Sequence, residues 1–131
     1  MLRDEDRILR LLDGELSIVR LPPDTAMPAW LSFLPEPLVS VTRTAYELSI
    51  VCPSAMVPPA VTCEAGWRAF TVEAKLEFSA VGVLLAILNP LAEAGINILS
   101  LSTFDTDYVL VRATVLEAAK TALRQSFALI E

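Results

Sequence analysis

The segment Ser102-Thr-Phe-Asp-Thr-Asp-Tyr-Val-Leu-Val111 contains the side chains best suited to binding a small cation. The carboxylates of Asp105 and Asp107 can accept a positively charged group, and the ring of Phe104 can stack on an aliphatic or guanidinium chain. Aspartate and threonine are also ordinary turn residues, and a phenylalanine here can simply fill the core. The segment therefore predicts either one side of a ligand site, to which Thr103 also belongs, or plain turn chemistry.

A complementary anion site is predicted at the start of an apolar helix that runs from Ser79 to about Ala94. The first amides of a helix have no intrahelical partner and carry the positive end of its dipole, so they attract a carboxylate. Gly82 lacks a side chain and would let that carboxylate approach the backbone closely. Alternatively, Ser79 only caps the helix and Gly82 packs against a sheet. The predicted anion-binding amides belong to Ala80, Val81, Gly82 and Val83.

The residue inventory argues against catalysis. The chain contains no histidine and two cysteines, Cys52 and Cys63, which do not form a Cys-x-x-Cys pair. It therefore lacks the commonest general base and transition-metal ligand, and the cysteines are expected to act as small hydrophobes. Asp105 and Asp107 alone provide too few ligands for a carboxylate metal site. We expect a non-enzymatic protein with no cofactor and no metal.

The composition of the chain limits the classes of partner that it is expected to bind. The chain is 54% hydrophobic and 20% charged, with a net charge of −6, so it can bury a core but repels nucleic-acid phosphates. Its apolar runs are interrupted well before the length that spans a membrane. The start, from Met1 to Arg7, mixes charges and has no apolar region typical of a secretory signal. We expect a cytoplasmic protein that binds neither nucleic acid nor membrane.

The sequence of the first half predicts short strands separated by proline-rich stretches. Asp13-Gly14 lies between two apolar stretches and predicts a hairpin, because such a tight turn needs positive φ. The predicted elements are strands over Ile8–Leu12 and Glu15–Leu21, a helical turn around Ala29–Phe33, strands over Leu38–Thr42 and Glu47–Cys52, and a linker from Pro53 to Gly66.

The second half predicts the order strand, helix, strand, strand, helix. Gly95 fits the left-handed residue that ends the first helix, and Thr114 with Glu117 matches a capping box for the last. The crossover helix implies that the strands it joins lie parallel in one sheet. The predicted strands cover Trp67–Ala74, Ile96–Ser102 and Asp107–Ala113, and the last helix carries Leu116, Ala119, Leu123, Phe127 and Ile130.

The two halves resemble each other when the sequence is shifted by sixty residues. Ser40 then coincides with Ser100, and Glu47 with Asp107, so that an acidic residue opens the outgoing strand in both hairpins. If the two turns meet across a pseudo-twofold axis, Val41 and Thr42 would line the ligand groove. Arg43 with Glu47 would more simply form a surface ion pair.

The stretch Gly82-Val-Leu-Leu-Ala-Ile-Leu-Asn-Pro-Leu-Ala-Glu-Ala-Gly-Ile-Asn-Ile98, with the segment that follows it, resembles the ACT domain. More narrowly, residues 14 to 131 resemble small bacterial tandem-ACT proteins related to the CASTOR-type arginine sensors. The resemblance implies an α+β, ferredoxin-like βαββαβ fold in two tandem units, the first with a shortened or missing helix. The implied domains are an N-terminal hairpin strand (1–13), an atypical first unit with a proline-rich linker (14–66) and a complete second unit (67–131).

The resemblance also implies a function, since ACT domains are regulatory modules that bind an amino acid where two units meet. Asp107 matches the acidic ligand residue of the arginine sensors, whereas Ala80 stands where they carry a second acidic residue. Arginine and a smaller or apolar amino acid therefore both stay open as the ligand. We expect a homodimeric amino-acid sensor; the alternative is a ligand-free dimerisation or adaptor module that binds a partner protein.

Overall fold

The structure, a computed structural model, describes residues 2–32, 34–74 and 82–131. It divides into two compact units. Unit 1 consists of Met1–Asp13 together with Arg68–Glu131, and unit 2 consists of Gly14–Trp67. The chain thus starts in unit 1, passes through all of unit 2 and returns to complete unit 1.

Unit 1 contains a sheet with the strand order β6-β7-β5-β1-β8, in which β8 runs parallel to β1, whereas β1 with β5 and β6 with β7 are antiparallel pairs. Two helices pack on one face of this sheet, because residues from both share a core with alternate residues of the strands. Its elements are β1 (Ile8–Leu11), the C-terminal part of β5 (Cys63–Val72), α1 (Val83–Glu93), β6 (Ile98–Ser102), β7 (Asp107–Arg112), α2 (Leu116–Leu123) and β8 (Ala128–Ile130).

The core of unit 1 follows directly from the sequence periodicity. In α1, Val83, Ile87 and Leu91 recur at helical spacing and are all buried. Gly95 has φ of 72° just after this helix, and the amide of Ile96 donates to the Leu91 carbonyl at 3.0 Å, so the predicted left-handed helix end is present.

Unit 2 consists of four strands, and no α-helix is present among its described residues. Its strand order is β3-β4-β2-β5, and among its described residues helical structure is confined to one 3-10 turn, Ser54–Met56. Loop side chains take the place of a helix, since Leu31 is buried against Val19 and Ile50 of the sheet. Its strands are β2 (Leu16–Leu21), β3 (Ser40–Arg43), β4 (Leu48–Pro53) and the N-terminal part of β5. The mixed α+β, ferredoxin-like fold and the missing helix agree with expectation.

Three predictions for the first half are wrong. The strands on either side of Asp13-Gly14 do not form a hairpin, because β1 pairs with β5 and β8 whereas β2 pairs with β4 and β5. The predicted linker ends early, since β5 already begins at Cys63. The chain at Ala29–Ser32 makes only a turn, closed by a hydrogen bond from the Leu31 amide to the Pro28 carbonyl; Phe33 lies outside the described residues.

The C-terminal helix also differs from prediction. Val115 is its N-cap and no side chain caps it, so the expected capping box of Thr114 and Glu117 is absent there. The helix ends at Leu123, and Ile130 belongs instead to β8, where it lies opposite Arg10 of β1. The sequence-based order therefore lacked a final strand, which completes a βαββαβ succession in unit 1 with β1 inserted beside β5.

The β3–β4 and β6–β7 hairpins are equivalent, but with a shift of 59 residues instead of sixty. Arg43 pairs with Leu48 at the end of the first hairpin, and Ser102 pairs with Asp107 at the end of the second. The turns have the same hydrogen bond, from the Thr44 amide to the Glu47 carbonyl (2.9 Å) and from the Thr103 amide to the Thr106 carbonyl (2.8 Å). The 3-10 turns that follow, Ser54–Met56 and Ala113–Val115, keep this register.

Candidate functional site

The candidate site begins with the turn between β6 and β7. Thr103 closes this turn twice, because its hydroxyl donates to the Thr106 carbonyl at 3.1 Å and accepts from the Thr106 amide at 3.3 Å. The turn presents the side chain of Phe104, which is 73% exposed. Phe104 therefore does not fill the core, which was the alternative interpretation of its role.

Asp107 opens β7 next to this turn and is partly buried. Its Oδ1 accepts a hydrogen bond of 2.6 Å from the hydroxyl of Ser102. Within the described residues Asp107 forms no ion pair, in contrast to Asp6, Glu73 and Glu131, which contact arginine or lysine. A carboxylate that a hydroxyl holds in place can accept a ligand cation.

Two hydrogen bonds hold this turn beside the end of β5. The Thr71 hydroxyl donates to the Asp107 carbonyl at 2.9 Å, and the Thr106 hydroxyl donates to the Val72 carbonyl at 3.4 Å. The chain that leaves β5 toward α1 therefore starts next to Asp107.

Glu73, the first residue after β5, is engaged in an ion pair with Arg10. Nε of Arg10 donates to Oε2 of Glu73, and Nη2 donates to Oε1, each at 2.6 Å. This hydrogen bonding lowers the pKa of Glu73 and raises that of Arg10. The Glu73 amide also donates to the Ile8 carbonyl at 2.8 Å. Glu73 thus fastens the end of β5 to β1, and its charge is already compensated.

The start of α1 differs from the predicted anion site. Gly82 is the N-cap with φ of 85°, and the helix begins at Val83, which is buried in the core. Because the first helical residues supply the amides without intrahelical partners, these belong to Val83, Leu84 and Leu85. The predicted cap Ser79 and the neighbouring Ala80 and Val81 lie outside the described residues. The helix thus begins later than predicted, and the amides of Leu84 and Leu85 were not among those predicted.

Val41 and Thr42 belong to unit 2, where both lie exposed on β3. With the observed register they correspond to Ser100 and Leu101 of β6, and neither corresponds to the turn of unit 1. Glu47 corresponds to Thr106, so the acidic match between Glu47 and Asp107 is wrong. The residue that takes the place of Asp107 in unit 2 is Leu48.

The predicted ion pair of Arg43 with Glu47 is also absent from the described residues. Arg43 instead donates through Nη1 to the Pro23 carbonyl and through Nη2 to the Thr25 carbonyl, the latter at 2.9 Å. No sequence pattern indicates this contact, because every residue type has a backbone carbonyl. Ser102 was likewise missed as a partner of Asp107, although pairing across a four-residue turn places it there.

In residues 2–32, 34–74 and 82–131, no group of three acidic, cysteine or histidine side chains is placed to hold a metal ion. No helix within these ranges is long and apolar enough to cross a membrane.

Comparison with protein families gives two matches. A family model described as an ACT domain matches residues 62–125. A second model, described as an N-terminal domain, matches residues 13–60. No curated protein sequence matches the chain.

Solved structures share the fold over nearly the whole chain. The protein Atu0741 from Agrobacterium tumefaciens is 37% identical, with a TM-score of 0.85, and the match covers 94% of this chain and 91% of that one. VC0802 from Vibrio cholerae, described as a possible transport protein, is 20% identical with a TM-score of 0.71 over 92% and 90% of the two chains. The regulatory subunit of aspartate kinase from Thermus thermophilus is 14% identical with a TM-score of 0.56 over 86% and 91%.

Proposed function

We propose that this chain is a regulatory protein that binds an amino acid in unit 1, because an ACT-domain family model matches residues 62–125, which lie mostly in that unit. The observation that carries the proposal is the Asp107 carboxylate, which is oriented by Ser102 and forms no ion pair within the described residues. A carboxylate so placed suits an ammonium or guanidinium group. The likeness to a regulatory subunit of aspartate kinase supports a regulatory role.

The ligand carboxylate would bind at the start of α1. The amides there carry the positive end of the helix dipole, and Gly82, with no side chain, leaves their approach open. Ser79, Ala80 and Val81 precede Gly82 and would line this side. Phe104, Thr103 and Asp107 would line the other, with the Phe104 ring covering the ligand side chain.

Thermal unfolding in the presence of each of the twenty amino acids tests the proposal. A ligand at a hundred times its Kd adds about 2.7 kcal/mol to the free energy of unfolding, so one or a few amino acids should raise Tm by several degrees. Asp107→Asn should lower that rise by about half or more, because a tenfold weaker affinity leaves about 1.4 kcal/mol of stabilisation, while the variant keeps its fold by circular dichroism. No rise with any amino acid at millimolar concentration would exclude the proposed function.

The proposal includes a homodimer in the cytoplasm. In the described part of the chain, β6 pairs on one side only, with β7, and so leaves an open strand edge that a second copy can extend. Sedimentation velocity should give a dimer mass, and Ser100→Pro on this edge should lower it to that of a monomer. If the unmodified protein sediments as a monomer, this part of the proposal is wrong.

A ligand-free adaptor is the second candidate, because two large apolar side chains among the described residues of unit 1 are exposed. Phe104 is 73% and Leu85 58% exposed, as expected for side chains that contact a partner protein. An adaptor would show no amino-acid-dependent change in Tm. The thermal scan therefore separates the two candidates without knowledge of the partner.

A further inference from the structure

Arg43 spans from the β3–β4 hairpin to the loop that follows β2. Its two terminal nitrogens donate to the carbonyls of Pro23 and Thr25, and all three residues belong to unit 2. The loop adds a hydrogen bond of its own, from the Thr25 amide to the Pro22 carbonyl at 3.1 Å. The guanidinium therefore satisfies two backbone acceptors that would otherwise face solvent.

The position of Arg43 is the equivalent, in unit 2, of the proposed ligand site in unit 1. In the common register Arg43 corresponds to Ser102, and Leu48 corresponds to Asp107. The loop held by Arg43 follows β2, the strand beside β4, as the chain beginning at Glu73 follows β5, the strand beside β7. Unit 2 thus has a long cationic side chain where unit 1 has a small hydroxyl beside a carboxylate.

We propose that Arg43 closes this position in unit 2, so that each chain binds a single amino acid, in unit 1. The stoichiometry rests on the proposed function, whereas the closure does not. The guanidinium is tethered through β3, so its effective concentration at the loop is on the order of millimolar or more and exceeds that of a free cation. Leu48 is fully buried and offers no carboxylate to a second ligand.

Hydrogen exchange of the Arg43→Ser variant tests the closure. Loss of two hydrogen bonds from a charged donor, worth about 1.4 kcal/mol net at an exposed site, should speed exchange of the Thr25 amide roughly tenfold. Guanidinium ion at millimolar concentration should restore part of the protection. Arg20→Ser is the matched control, because Arg20 also lies in unit 2 and donates to a backbone carbonyl, that of Tyr46, at 2.9 Å. It should leave exchange at Thr25 unchanged.

Isothermal titration with the amino acid that raises Tm tests the stoichiometry. The unmodified protein and Arg20→Ser should bind one molecule per chain, and binding in unit 1 of Arg43→Ser should keep its affinity. Two molecules per chain in the unmodified protein, or unchanged Thr25 exchange in Arg43→Ser, would overturn the proposal. If no amino acid binds, the proposed function fails while the exchange data still decide whether Arg43 closes the loop.

Discussion

The hydroxyl of Ser102 lies 2.6 Å from Oδ1 of Asp107, and the two residues face each other across β6 and β7. Strand pairing fixes both backbones and therefore the position of this hydrogen bond. Because the hydroxyl is uncharged, it holds the carboxylate without neutralising it. A second bond, from the Thr71 hydroxyl to the Asp107 carbonyl at 2.9 Å, fixes the same residue to β5. Asp107 is therefore a charged group on a rigid support, the arrangement that favours selective binding.

Replacing Asp107 by asparagine should weaken amino-acid binding at least about tenfold, because the variant keeps the shape but loses the charge that faces the ligand cation. Titration calorimetry measures the affinity, and Tm should change by only a few degrees. Glu47→Gln is the control, since Glu47 is the residue that the sixty-residue shift matched to Asp107. An equal loss of affinity in both variants would contradict the register of 59 and the assignment of the site to unit 1.

Gly82→Ala should lower both stability and affinity. A side chain at φ of 85° costs about 1–2 kcal/mol, and nothing lies within 4 Å of the added Cβ, so the cost is conformational. Gly95→Ala is the matched control, because Gly95 has φ of 72° and equally open surroundings at the other end of the helix. We expect a similar fall in Tm for both variants but weaker ligand binding only for Gly82→Ala. Equal affinities would remove the start of α1 from the site.

The strands of both hairpins were predictable because alternating polarity is a property of local sequence. Their register was not, because β3 and β6 contain no fully buried residue, and a strand without a buried face specifies its register only weakly. The hydroxyl and amide of Thr44 and Thr103 set the register through the turns. Matching the threonines that begin the two turns would have given 59 residues.

The remaining errors concern contacts between distant parts of the chain. β8 has three residues and continues a helical apolar pattern, so only its pairing with β1 identifies it as a strand. Asp13-Gly14 has the composition of a tight turn, yet β1 pairs with a strand far along the chain, with Leu11 opposite Phe70. Residue type records local preference, whereas the partner of a strand is decided by the whole sheet.

The contribution of the Asp6–Arg3 ion pair to stability can be tested by varying the pH. Asp6 is buried, and the Arg3 guanidinium donates to both of its carboxylate oxygens at 2.9 Å, which lowers the pKa of Asp6. A lowered pKa means that the contribution to stability is complete above the ordinary aspartate pKa of about 3.9 and is lost as the pH falls through the folded-state value. Asp6→Asn should cost roughly 1–3 kcal/mol near neutral pH.

The difference in free energy of unfolding between Asp6→Asn and the unmodified protein should shrink as the pH falls below about 4. Urea unfolding at a series of pH values measures it. Asp4→Asn is the control, because Asp4 is exposed in the 3-10 turn Asp4–Arg7, which also contains Asp6. This variant should give a small difference at every pH. A difference for Asp6 that stays constant down to the lowest pH would show that packing, and not the ion pair, gives the effect.

The two cysteines should remain reduced and should react at different rates. Cys52 lies opposite Ser17 and Cys63 opposite Val19, on strands that flank β2, so their Cα atoms are roughly 10 Å or more apart and beyond disulfide reach. Burial raises the pKa of the Cys52 thiol to about 11. Its thiolate, the reactive form, is therefore scarce at neutral pH.

In a Cys63→Ser variant, Cys52 should react with iodoacetamide roughly a hundredfold more slowly in the folded protein than in urea at about pH 8, because both burial and the raised pKa protect it. The complementary Cys52→Ser variant retains the half-buried Cys63, which should be labelled without unfolding. Mass spectrometry of the labelled chains measures both rates. Rapid labelling of folded Cys52, or an intrachain Cys52–Cys63 disulfide in the unmodified protein under air, would contradict the strand order of unit 2, since either requires Cys52 to leave its position beside β2.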